Sequence, residues 1–108
     1  MSELDEREYQ KLTETALRSI EEKFGDADPE AIEMDRAGDV ITFIFKNGRK
    51  AVLNTQRPTR QIWFAANAKG WHFRHEAGRW VDEKDPSNEL FATIANVVRD
   101  ATGIDVKF

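Results

Sequence analysis

Eight carboxylates crowd a short interval of this sequence: Glu14, Glu21, Glu22, Asp26, Asp28, Glu30, Glu33 and Asp35. Carboxylate oxygens are hard ligands, and an open, water-facing group of them takes up divalent or trivalent cations weakly and with little selectivity. The spacing matches no closed cage, since there is neither an EF-hand loop nor a histidine pair at helical spacing. Taken alone, such a run is ordinarily the solvated face of an amphipathic helix. A second group is neutral. Asn54, Gln56 and Gln61 surround Trp63 on a strand face that otherwise reads as solvated, which is how an interface anchor looks; the competing reading is a tryptophan covered by the chain's own loops. His72 and His75, on a strand and its following turn, do not share a face. His75 reads as solvated; His72 reads as outward, with an accessory metal contact as the alternative.

The elements that position these groups follow from periodicity. Residues 3–24 form a first helix, with Tyr9, Leu12, Ala16, Ile20 and Phe24 on one apolar stripe and Leu17 beside it. Gly25 stops that helix, and Asp26-Ala27-Asp28-Pro29 is a turn. Glu14, Glu21 and Glu22 take its solvent side. Residues 32–35 alternate, with Ile32 and Met34 inward and Glu33 and Asp35 outward, as on an edge strand. Residues 40–46 form the next strand, and Asn47-Gly48 signals a hairpin. A two-residue loop would set Lys50 and Asn54 on the core face. A three-residue loop with left-handed Gly48 pairs Phe43 with Ala51 and Ile41 with Leu53, and is preferred because a one-residue slip buries charge.

Alternation then carries Val52 and Asn54 outward. After the Pro58 turn, residues 61–65 bury Ile62 and Phe64 and face Gln61 and Trp63 outward. Trp71 and Phe73 follow as inward residues, Gly78 turns the chain, and Trp80-Val81 is a last short strand; Trp71 and Trp80 read as core. Asp85 is the expected N-cap of a second helix, with Pro86 at its first position. Leu90, Ile94, Val97, Val98 and Ala101 are its buried stripe, with Phe91 beside them, and Gly103 is its end. Residues 104–108 are expected to lie over the helices through Ile104, Val106 and Phe108. The order predicts an α+β fold: a two-layer sandwich with two helices on one face of an antiparallel sheet of about six strands.

Length and composition bound what such a molecule does. A chain of 108 residues with 40% hydrophobic and 10% aromatic content supports one domain, residues 1–108, with its own core. There is no cysteine, so disulfides, thiolate metal sites and a cysteine nucleophile are excluded. Ser2, Ser19 and Ser87 have no His–Asp setting, no glycine-rich phosphate loop is present, and the acids lie on a convex helix rather than in a cleft; the chain is not expected to be an enzyme. No segment resembles a signal, transit or membrane-spanning sequence, and a soluble, cytoplasmic protein is expected. The net charge of −4 is unevenly spread: residues 1–39 hold 13 acidic against 5 basic residues, and residues 40–108 hold 7 against 11. The acidic part points to a cationic partner and away from nucleic acid, and no RNA- or DNA-binding motif is present.

The stretch Asn54-Thr55-Gln56-Arg57-Pro58-Thr59-Arg60-Gln61-Ile62-Trp63, followed by Gly70-Trp71-His72-Phe73 and preceded by the acidic helix, resembles the frataxin family in its bacterial CyaY type. The resemblance runs from about Glu8 to Ala101. It implies weak iron binding, as Fe²⁺ or Fe³⁺, on a ridge made here of Glu14, Glu21, Glu22, Asp26, Asp28, Glu33 and Asp35. Glu3, Asp5, Glu6 and Glu8 are candidates to extend that ridge. Gly25 departs from the pattern, since relatives often carry a carboxylate there. The resemblance also implies that the ridge docks on cysteine desulfurase, that Asn54, Gln56, Gln61 and Trp63 contact the iron–sulfur scaffold protein and the desulfurase, and that the chain is a monomer without iron. An iron store or ferroxidase that oligomerises with iron, and a metal-independent interaction module, are the alternatives.

Overall fold

The computed structural model describes residues 4–108, so Glu3, expected to open the first helix, lies outside the described residues. Helix α1 spans Glu6–Phe24; Asp5 caps it by accepting from the Glu8 amide at 2.8 Å. Its buried side is Tyr9, Thr13, Ala16, Leu17, Ile20 and Phe24, with Leu12 only half-buried. Six strands follow in meander order: β1 (Ile32–Ala37), β2 (Val40–Phe45), β3 (Lys50–Gln56), β4 (Gln61–Ala66), β5 (Lys69–Glu76) and β6 (Arg79–Asp82). Every neighbouring pair is antiparallel. Helix α2 spans Leu90–Thr102 and ends at Gly103, whose φ of +78° is left-handed.

Both helices pack on one face of the sheet. Tyr9, Leu17 and Ile20 of α1 meet Ile41, Phe43, Leu53, Ile62, Phe64 and Phe73 of the strands, and Leu90, Ile94 and Val98 of α2 complete the core. The hairpin register is the one that keeps charge out of this core: Phe43 pairs with Ala51, Ile41 with Leu53, and Gly48 has φ +83°. The other sheet face is left without a layer, and Val40 and Ile44 are exposed on it.

Four expectations need correction. His75 is not a solvated turn residue: it lies within β5, half-buried, and packs edge-on against Trp80. Helix α2 does not start at Asp85-Pro86. The Asp85 carboxylate accepts from the Ser87 amide and hydroxyl, the Asp82 amide donates to the Asn88 carbonyl, and Glu89 bridges to Val81. The loop is thus tied back along β6, and Glu89 caps the helix by accepting from the Phe91 and Ala92 amides. Trp71 is half-buried rather than core: it stacks on Phe64, but its strand end is open to solvent. In the C-terminal segment Phe108 contacts both helices, through Phe24 and Phe91, and Val106 packs on the core, but Ile104 is 39% exposed.

Candidate functional site

The seven ridge carboxylates fall into separate groups. Glu14 and Glu21, seven residues apart on α1, are brought together by Arg36 of β1. Its guanidinium donates to Glu14 at 2.7 Å and to Glu21 at 2.6 Å. Arg36 faces the helix layer because it alternates with Asp35 and Ala37, and its side chain is 18% exposed. The hydrogen bond from Arg36 holds the Glu14 carboxyl below its ordinary value, and the two carboxylates push the Arg36 guanidinium further above its own. Glu22 and Asp26 are exposed on another side, where they line a groove of about 930 Å³ shared with His75, Trp80, Phe91 and Phe108. Asp28 organises the loop before β1 by accepting from the Glu30 amide at 3.0 Å. Glu33 and Asp35 project from the outer face of edge strand β1, opposite Ile44 and Thr42. Among the described residues no three acidic or histidine side chains converge as a ready metal cage. Asp5, Glu6 and Glu8 stand at the first turn of α1, the end remote from Asp26 and Asp28.

The outer-face residues, by contrast, form one connected structure. Asn54, Trp63 and His72 lie in a single cross-strand row on β3, β4 and β5. The Trp63 indole stacks on the His72 imidazole with centroids 4.1 Å apart and planes 12° from parallel. Trp63 Nε1 donates to Gln61 Oε1 at 2.8 Å, Gln61 Nε2 donates to Glu83 Oε1 at 2.9 Å, and Glu83 Oε2 lies 2.9 Å from His72 Nδ1. Four side chains therefore close a ring. The bonds from Gln61 and then His72 keep the Glu83 carboxyl below its ordinary value. Gln61 is on the outer face as expected, but it is buried, because this ring covers it. Gln56 joins by donating to Asn54 Oδ1 at 3.2 Å.

The turn before β4 sets this row in place. Arg57–Thr59 is one turn of 3-10 helix, and Arg60 follows with φ +56°, a left-handed conformation that costs a non-glycine residue energy. Arg60 is held by bonds to the Arg57 and Leu4 carbonyls and lies over the Tyr9 ring, while Tyr9 donates to the Gln61 carbonyl at 2.6 Å. Sequence reasoning set His72 outward but gave it no part beside Trp63, and it missed Glu83 altogether. The strand register alone, once fixed, places His72 opposite Trp63.

The family model described as Frataxin-like domain matches residues 2–104. The iron-sulfur cluster assembly protein CyaY of Cupriavidus taiwanensis is 36% identical over 111 residues, spanning 100% of this chain and 99% of that protein. The chain belongs to the frataxin family, in its bacterial CyaY type. A second protein of the same name, from Ralstonia nicotianae, is 37% identical and covers 98% of this chain and 96% of its own length. Frataxin architecture is shared with a solved frataxin from Psychromonas ingrahamii, at a TM-score of 0.88 and 24% identity, over 96% of this chain and 97% of that one. A trimeric frataxin from the yeast Saccharomyces cerevisiae, complexed with ferrous iron, superimposes at a TM-score of 0.70 and 24% identity, covering 96% and 91%. At that identity the two structures speak to the frataxin fold.

Proposed function

We propose that this protein is an adaptor in iron–sulfur cluster assembly, not an enzyme: it binds iron weakly at the α1–β1 carboxylates and docks on cysteine desulfurase, with the Trp63 face meeting the desulfurase and the scaffold protein. The observation that carries the reading is the pairing of two unlike surfaces on one small fold. Glu22, Asp26, Glu33 and Asp35 are exposed and make no ion pair among the described residues, which suits a basic partner and loosely held cations. The Trp63 row is half-buried and internally hydrogen-bonded, which suits desolvated contact. The names carried by the relatives support the cluster-assembly context. The absence of a converging cage among the described residues agrees with weak binding at exposed carboxylates.

One observation favours the metal-independent module as a second reading: Arg36 already pairs with both Glu14 and Glu21. A cluster-assembly rate measured with and without this protein tests the main proposal, and desulfurase capture with and without ferrous iron separates the two readings. No change in rate at saturating protein would overturn the adaptor role.

A further inference from the structure

We infer that Glu83 is a positioning residue for Trp63, acting through Gln61 and His72 to hold the indole in one orientation on the open sheet face; the inference rests on the partner-facing reading of that face. Glu83 makes no hydrogen bond to the indole itself, whose N–H goes to Gln61. It lies just past β6, where its backbone amide donates to the His72 carbonyl at 2.9 Å, so its own place is fixed by main chain. From there one carboxylate oxygen receives the Gln61 amide and the other faces His72 Nδ1. Each contact constrains the indole along a separate route. Because Gln61 Nε2 is committed to Glu83, the Gln61 Oε1 atom is turned toward Trp63 Nε1. Because Nδ1 of His72 is committed to Glu83, the imidazole plane is set and forms a wall against the indole face.

An interfacial aromatic that is already fixed loses less side-chain entropy on binding than one that swings freely. His72 and Glu83 are themselves accessible, with side chains 40% and 36% exposed, so the frame is built at the surface where core packing does not orient the ring. The same exposure makes Glu83 replaceable without opening the core.

The test compares Glu83→Ala, Glu83→Asp and Trp63→Ala for three quantities: thermal midpoint, hydrogen exchange of the Trp63 indole N–H, and affinity for the desulfurase. With Glu83→Ala, indole exchange should quicken about tenfold or more, affinity should fall about threefold to tenfold, and the midpoint should stay within a few degrees. Glu83→Asp, which keeps the carboxylate on an arm one methylene shorter, should recover part of both losses. If Trp63→Ala leaves affinity unchanged, the partner-facing reading of this surface fails and the positioning role fails with it. If Trp63→Ala weakens binding while Glu83→Ala changes neither exchange nor affinity, the surface stands and the positioning role of Glu83 is overturned. A Glu83→Ala variant that loses affinity only in proportion to a fall in midpoint also overturns it.

Discussion

The Arg36 guanidinium of β1 lies 2.6 Å from the Glu21 carboxylate of α1, and its other arm reaches Glu14 at 2.7 Å. A cation thus occupies the space between two side chains that the charge pattern offers as metal ligands. Any metal bound there must displace a bidentate partner, whereas Glu22, Asp26, Glu33 and Asp35 carry no such competitor among the described residues.

Arg36→Gln should therefore raise the apparent affinity for Fe²⁺ or Mn²⁺, roughly threefold to tenfold, about 0.7–1.4 kcal/mol. Titration followed by backbone amide shifts reads the effect, with new perturbations at Glu14 and Glu21. Poor selectivity among hard divalent ions should persist. Unchanged affinity would exclude Glu14 and Glu21 from the metal site, and shifts centred on His72 and His75 would exclude the ridge as a whole.

Charge neutralisation should act differently at the two groups. Glu22→Gln with Asp26→Asn removes like charges that share one groove, so stability should hold or rise, within roughly 0.5 kcal/mol. Glu21→Gln instead takes a partner from Arg36 and should cost stability, about 1 kcal/mol, since Glu21 is accessible and Arg36 keeps Glu14. The two thermal midpoints should move in opposite directions or differ measurably. Equal shifts would mean Arg36 gains nothing from Glu21.

These differences show what the sequence could carry. The helix stripes, the strand order and the Asn47-Gly48 register follow from local periodicity and turn chemistry, so Phe43 opposite Ala51 was legible. Arg36 lies one residue past the strand read at 32–35, in a strand that runs on to Ala37, and its role as counter-ion of Glu21 was not legible because that pairing depends on how α1 lies across the sheet. Glu83 is 22 residues from Gln61 and joins it only because the chain after β6 folds back. Asp85-Pro86 is a helix-start signal that lost to tertiary contacts, namely the bridge of Glu89 to Val81 and the Asp82–Asn88 bond. Sequence proximity also does not reveal that Glu22 and Asp26 line the Trp80 groove while Glu33 and Asp35 stand on β1.

His75 supplies a pH prediction. Burial lowers its value from the ordinary 6.5. In the range between the two values the unfolded chain binds more protons than the folded one, so stability falls as pH drops through 6.5 toward the folded value. The ring packs edge-on against Trp80, and Glu22, Asp26, Glu89, Lys23 and Arg79 line the same groove. His75→Gln should flatten the thermal midpoint between about pH 7 and the acid limb. The loss from Glu14 should remain: its lowered value means its pairing with Arg36 stabilises above 4.5 and is lost as pH falls through the folded value. A midpoint profile unchanged by His75→Gln would show that another group sets the slope near neutrality.

The last prediction separates the acidic surface from the Trp63 face. Exposed carboxylates act at long range, and their contribution to desulfurase binding should weaken with salt, since screening at 0.1 M acts over about 10 Å. Trp63 is half-buried against His72 and acts by contact. Trp63→Ala should weaken desulfurase binding by about 2 kcal/mol with the salt dependence intact, whereas Glu33→Gln with Asp35→Asn should lower that dependence. In folding the order reverses. Ile62 is fully buried beneath the same strand, and Ile62→Ala should cost about 2–5 kcal/mol. Trp63→Ala should cost less, about 1–2 kcal/mol, through the lost His72 stack and its neighbours. Thermal unfolding and affinity against ionic strength, measured for each variant, decide the matter. Should Trp63→Ala unfold the protein as readily as Ile62→Ala, the indole is structural and the interface assigned to Asn54, Gln56, Gln61 and Trp63 fails. Should it instead spare stability and leave affinity untouched, the row is a surface without a partner.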